Sequence, residues 1–282
     1  MDFTAVLAQI KPKLGCIADN LKTIEGEIVN AREAGAGLIV FPELALSGYF
    51  LKDLVPEVAL RINSPEIMRL IELSRDISIA VGFVEETDDY HFFNSALYLE
   101  DGAIRHLHRK VYLPTYGLFD EQRYLARGGS FRAFDTKFGR FGMLICEDMW
   151  HLSASYILAM DGATTLICLS SSPARGIEGD SLGSASAWQK LVSTTALFLN
   201  CRVLYSNRVG FEDGVNFWGG SEYIAPSGES IVRGKLLEED FVTARVDEGS
   251  LRRERIFSPM MRDENLGVTM QELRRIARER GR

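Results

Sequence analysis

The feature that most constrains this chain is an alternation that runs along nearly its whole length. Apolar runs of strand length are separated by stretches of helical period. Such interleaving favours one α/β domain over segregated β and α units. Thr4 to Ile10, Leu38 to Phe41, Ile77 to Val84, Phe93 to Leu99 and Ile104 to Leu113 read as strands. So do Phe131 to Phe134, Phe141 to Ile145, Thr165 to Leu169, Arg202 to Asn207, Glu222 to Ala225, Ile231 to Arg233 and Phe241 to Val246. Helical period falls on Asn20 to Ala34, with Asp19 as its expected cap, and on Glu66 to Arg75, Leu152 to Met160, Ser184 to Leu199 and Gln271 to Arg280. Asp101–Gly102 and Pro226–Ser227–Gly228 are hairpin signals, so the sheets are expected to be mixed. Pro114 to Gly129 reads as a loop or an irregular turn of helix. No linker, low-complexity tract or repeat divides the 282 residues.

Charge and cysteine usage exclude several classes. The net charge of −7 lacks the basic footprint of a nucleic-acid binder. The arginines between Leu251 and Arg282 are mixed with acidic residues and read as a solvated helix face. The four cysteines form no CxxC pair, which argues against a zinc ribbon or thioredoxin motif. The start MDFTAVLAQIKPKLG does not look like a signal peptide, and no apolar run approaches the roughly 20 residues of a membrane span. A cytoplasmic, reducing setting is the expectation, and it suits a reactive thiol.

Three segments carry chemistry. In GMLICEDMW an apolar strand delivers Cys146 to its carboxyl end with a helix soon after. Ligands of α/β sheets bind outside strand carboxyl ends, and nearby helix N–H groups can stabilise a thiolate there. Cys16, Cys168 and Cys201 read as structural. In FPELALSGY, Glu43 follows a strand and a proline that would aim its side chain. In RKVYLP, Arg109 and Lys110 would face opposite sides of a strand, one towards a cleft. Each has a bland alternative: a buried thiol, a strand-end carboxylate in water, an exposed basic edge. Together they supply a nucleophile, a base and an oxyanion partner, the set that amide hydrolysis needs.

These three segments, in this order, resemble the nitrilase superfamily of carbon–nitrogen hydrolases. KVYLPTYGLFDEQRY and ICEDMW look most like the glutamine-amidotransferase domain of glutamine-dependent NAD synthetase. The resemblance runs from the first strand to about Arg255. It implies a hydrolase domain over residues 1–255, with 256–282 as a tail belonging to that domain or to an oligomer contact. It implies an α/β four-layer αββα sandwich, usually a homodimer or higher oligomer, without metal or organic cofactor. It implies that Glu121 is a second glutamate beside the lysine, and that Tyr49, Tyr116 and Ser172 line the substrate pocket. The oxyanion would be held by Lys110 and the backbone N–H of Glu147. A raised carboxyl pKa would suit Glu43, and two carboxylates around one lysine could produce it. The synthetases continue into a phosphate-loop domain that this sequence lacks. The expectation is therefore a free-standing amidase, with a glutaminase feeding a separate synthetase, or a nitrilase, as alternatives. An acidic substrate end would want a cation, for which Arg175 and Arg208 are candidates.

Three rival readings remain. His151 could make a cysteine–histidine pair with Cys146, though no papain-like CGSCW is present. His106 and His108 share a strand face and could be metal ligands. A degenerate scaffold without activity is the non-enzymatic option.

Overall fold

Each half of the chain builds one sheet, and the last long strand returns to the first sheet. The computed structural model describes residues 2–178 and 181–281. β1 (Phe3–Gln9), β2 (Leu38–Val40), β3 (Ser78–Glu86), β4 (Phe92–Glu100) and β5 (Ala103–Arg109) lie side by side in that order. The last strand, β16 (Asp240–Val246), pairs antiparallel with β1. In the second sheet β6 (Phe134–Thr136), β7 (Gly139–Ile145) and β8 (Thr165–Ser170) are adjacent. A small pair, β9 (Ile177–Glu178) with β10 (Ser181–Leu182), stands apart. Beyond β8 come β11 (Arg202–Asn207), β14 (Glu222–Ile224) and β15 (Ser230–Arg233). β12 (Val209–Glu212) and β13 (Val215–Trp218) form a separate hairpin. Both sheets are mixed, as the hairpin signals predict: β1–β2–β3 and β7–β8–β11 are parallel, and their flanks are antiparallel.

The alternation of a strand explains the layering. In β1, Ala5 and Leu7 join the core between the sheets, whereas Val6 and Ala8 join the core under the helices. That outer core takes Ile24 and Ile28 from α1 (Ile17–Glu33). Past a short α2 (Val55–Val58), it also takes Ile67 and Leu70 from α3 (Pro65–Leu73). After the one-turn α4 (Glu121–Tyr124), α5 (Leu152–Met160) and α6 (Gly183–Leu199) supply Ala154, Leu158, Trp188 and Val192 to the second sheet. The expected four-layer αββα sandwich is the fold observed. The chain ends in α7 (Glu248–Phe257), α8 (Met260–Asp263) and α9 (Leu266–Arg280). α7 spans the expected boundary at 255, and α9 buries none of its residues.

Several local expectations are corrected. The strand expected at Phe131 to Phe134 forms instead at Phe134–Thr136, because Phe131 is drawn aside to the rings of His108 and Tyr112. α1 begins at Ile17, with Asp19 inside its first turn and paired to Lys13 rather than capping. β5 stops at Arg109, so Lys110 lies just past the strand. Cys16 is exposed and is no core thiol. No helix of the described residues is long and apolar enough to cross a membrane.

Candidate active site

Parallel strands from both sheets end on the same side, and the site is assembled from the residues just past those ends. After β2 the chain runs Phe41–Pro42–Glu43 against β3, where a Cβ on Gly82 would lie 2.5 Å from the Leu44 nitrogen and 3.0 Å from the Glu43 Cα. Only a glycine permits that approach. Glu43 is 1% exposed. Its Oε1 accepts from Lys110 Nζ (2.7 Å) and Asn94 Nδ2 (2.8 Å), and its Oε2 from the Ser171 amide (2.8 Å).

Lys110 follows β5 and donates its backbone N–H to the Asn94 carbonyl (2.9 Å). The loop to Gly128 folds back over it, and the Gly128 amide donates to the Lys110 carbonyl (2.8 Å). Within that loop, α4 begins at Glu121, whose Oε1 accepts from Lys110 Nζ (2.6 Å) and from the Tyr49 hydroxyl (2.5 Å). Glu121 Oε2 is buried without a hydrogen-bond partner. One ammonium thus sits between two carboxylates, all three buried. Burial pulls the Lys110 ammonium down, but Glu121 and Glu43 outweigh it and hold the amine well above its usual value. Burial pushes the Glu121 carboxyl up to about 7, with Lys110 opposing and Glu43 adding to the rise.

Cys146 follows β7 directly and opens a 3-10 turn, Cys146–Trp150, with φ of +46°. A non-glycine residue in the left-handed region is strained and sits there when the surroundings demand it. The thiol is buried; Ser170 Oγ donates to its sulfur at 3.6 Å. Burial, then the negative charge of Glu43, raise its pKa, against the pull of Lys110. The expected helix-stabilised thiolate is therefore corrected: at rest this is a neutral thiol, and it needs a base.

The two sheets are clipped together by Asp148, a residue that no sequence motif singles out. Its Oδ1 accepts from the amides of Val111 and Tyr112 (both 3.0 Å), beside Lys110. Its Oδ2 accepts from the Ile145 amide (3.1 Å) and meets His108 Nε2 at 2.8 Å. His108 is therefore occupied as a structural partner, and His106 stacks on Phe134. Among the described residues no group of three or more His, Cys, Asp or Glu could hold a metal ion. His151 turns to Tyr112, at 3.5 Å between ring centroids, and to Glu147 at 3.8 Å.

Cys146 opens onto a cleft of about 350 Å³ whose walls include Glu147, Trp150, Ser172, Arg175 and Trp188. Tyr116, also in this wall, donates its hydroxyl to Glu147 Oε2 (2.8 Å). Ser172 donates its amide to Asn207 Oδ1 (2.8 Å). Tyr49 does not line this cleft; it lines a separate pocket together with Glu121. Arg175 stacks over Phe119 at 4.6 Å and has buried, unpartnered Nε and Nη2 atoms. Arg208 lies away from the cleft, fully buried against Glu212.

Comparison with known proteins shows which family this sandwich belongs to. The carbon-nitrogen hydrolase family model matches residues 4–255, so the chain belongs to that family. It is 34% identical over 275 residues to the glutamine-dependent NAD(+) synthetase of Thermotoga maritima, covering 95% of this chain but 44% of that enzyme. It is 27% identical to the citrullinase of Francisella tularensis, over 87% of this chain and 90% of the relative. The structure of an Acinetobacter baumannii glutamine-dependent NAD+ synthetase superposes with a TM-score of 0.79 and 31% identity, over 89% of this chain and 47% of that one. The chain thus spans about half the length of the synthetases it matches.

Proposed function

We propose that this protein hydrolyses a small linear amide to a carboxylic acid and ammonia through a thioester on Cys146. The observation that carries the reading is the buried Lys110 ammonium held between Glu43 and Glu121 beside a neutral buried thiol. Glu43 accepts the Cys146 proton as sulfur attacks the amide carbon. The oxyanion is held by Lys110 and the Glu147 N–H; one such donor typically contributes about 3–4 kcal/mol. Collapse breaks the C–N bond, and the proton on Glu43 passes to the leaving nitrogen. Water then attacks the thioester, giving a proton to Glu43, and the carboxylic acid leaves as the thiol is re-formed.

Within this class we favour an amide whose far end is an amino acid. The cleft outside Cys146 carries a carboxylate, Glu147, and a guanidinium, Arg175, with unused donors. Those charges complement an ammonium and a carboxylate, as in glutamine, and the relatives include glutamine-dependent synthetases. Ammonia supply to a synthetase unit is the corresponding wider role. We also propose that a second copy covers the exposed apolar side chains Phe257, Leu273 and Ile276 of the C-terminal helices, which light scattering on the purified protein tests.

Ammonia release from a panel of glutamine, dicarboxylic acid ω-amides, aliphatic amides and nitriles tests the reading, with Cys146→Ala as control. Release from glutamine that vanishes in the control supports it. Release that persists in the control overturns it. A protein that cleaves no member and shows no selective labelling of Cys146 by a thiol-directed amide mimic is a scaffold.

A further inference from the structure

One buried ion pair lies behind the site and takes no part in the chemistry proposed above. Arg208 precedes β12 and Glu212 ends it, and Arg208 Nη1 donates to Glu212 Oε2 at 2.5 Å. Arg208 is fully buried and Glu212 is 6% exposed. Arg208 is held from two further sides, by the Pro12 carbonyl (3.2 Å) and by the Phe217 ring at 4.2 Å. Two buried charges need good geometry and further hydrogen bonds to offset their desolvation. The remaining Glu212 oxygen supplies them: Oε1 accepts from the backbone amides of both Tyr49 and Phe50, each at 2.7 Å. The loop is pressed against this carboxylate, since a Cβ on Gly48 (φ +79°) would lie 2.7 Å from Glu212 Oε2 and 2.9 Å from the Leu14 Cα. The residue so anchored is the one whose hydroxyl reaches Glu121 Oε1.

We infer that Glu212, fixed by Arg208, is a positioning residue that sets the Tyr49 hydroxyl under Glu121 and thereby the charge state of the second carboxylate at the site. Tyr49 and Lys110 both donate to Oε1, so Oε2 is the oxygen left to carry a proton. A donor on Oε1 favours the ionised carboxylate, so withdrawing the Tyr49 hydroxyl leaves Glu121 protonated to higher pH. The charged and titratable groups facing Glu121 are Lys110 after β5, Glu43 after β2, Cys146 after β7 and Tyr49 itself. Of these, Tyr49 is the one whose placement depends on the hairpin. The inference rests on the hydrolase reading.

The test is the pH profile of kcat/KM for the best amide of the panel, in wild type, Tyr49→Phe, Glu212→Ala and the double variant, with thermal unfolding alongside. Tyr49→Phe keeps the ring and should lower kcat/KM about tenfold and move the acid limb up by about one pH unit, the scale of one charge-assisted hydrogen bond. Glu212→Ala should move the limb in the same direction, and the double variant should be no worse than the more damaging of the two single variants. Multiplying losses, or a Glu212→Ala protein with a lowered Tm and an unmoved limb, would overturn the inference and leave Glu212 a purely structural partner of Arg208. If Glu212→Ala does not fold, Gly48→Ala pushes the same loop off the carboxylate. A moved limb there supports the inference and an unmoved one overturns it. A wild type that releases no ammonia, with Cys146→Ala no different, defeats the hydrolase reading and this inference with it. An active wild type with an unmoved limb defeats the inference alone.

Discussion

β2 and β5 of the first sheet lead to Glu43 and Lys110, whereas β7 and β8 of the second lead to Cys146 and the Ser171 amide. The first sheet thus brings fixed charges and the second brings a neutral nucleophile and a neutral donor. The difference follows from the cost of burial. Charges removed from water must be paired at short range, so Lys110 and its two carboxylates are tied to one another and to Asn94 and Tyr49. A thiol carries no such requirement while it is protonated. In the mechanism proposed above, the two halves acquire a shared charge problem only when the Cys146 proton moves to Glu43 across the gap between the sheets.

Removing the neutral half should have the largest effect on turnover and little on the fold. Cys146→Ala is expected to reduce hydrolysis by on the order of 10⁴-fold or more, with the Tm within a few degrees of wild type. Steady-state ammonia release and calorimetry check both. Residual turnover near the wild-type rate would mean that the charged half acts without the thiol.

Removing the cation should damage both fold and turnover. Lys110→Met leaves Glu43 and Glu121 facing each other in a buried site. The loss should reach about 3–5 kcal/mol of stability, together with about a thousandfold loss of turnover. Adding Glu121→Gln should recover much of the stability and none of the rate. A Lys110→Met protein as stable as wild type, by urea unfolding, would show that the pairing is not what holds the two carboxylates.

The clip between the halves should come next. Asp148→Ala frees the amides of Val111, Tyr112 and Ile145 at once. A misplaced lysine segment should cost roughly a hundredfold in kcat, with little change in KM if the cleft is intact.

How much of this was legible in the sequence divides along the same line. Glu43 and Cys146 stand out in the sequence because each follows an apolar run, and a strand end is a place the sequence marks. The interleaved pattern likewise gave the α/β class, and the order of three segments gave the four-layer arrangement. The partners were not legible, because hydrogen bonds across 128 residues, as between Ser171 and Glu43, leave no local pattern. Asp148 had a weak signal: an acid close past a strand end, suited to taking up the free amides of a turn. The β12–β13 hairpin was missed although Asp213–Gly214 marks its turn, because its strands hold only four residues each. The thiol's state was misjudged because a helix N-terminus was expected where a short 3-10 turn and the negative charge of Glu43 stand.

The smallest expected effect concerns stability against pH, and it separates the halves without any substrate. Burial lifts the Glu121 carboxyl from its ordinary 4.5 to about 7. Between these values the folded protein holds a proton that the unfolded chain releases. The stability this group contributes is therefore fully present below about pH 4.5 and is lost as pH rises through 7. Glu121→Gln has no proton to lose, so its Tm should fall less than that of wild type between pH 5 and about pH 7.5, by a few degrees. Cys146→Ala should follow the wild-type slope, because the buried thiol is neutral across that window. Parallel slopes for Glu121→Gln and wild type would mean that Glu121 is ionised throughout, and that the charged half carries its full complement of charge at rest.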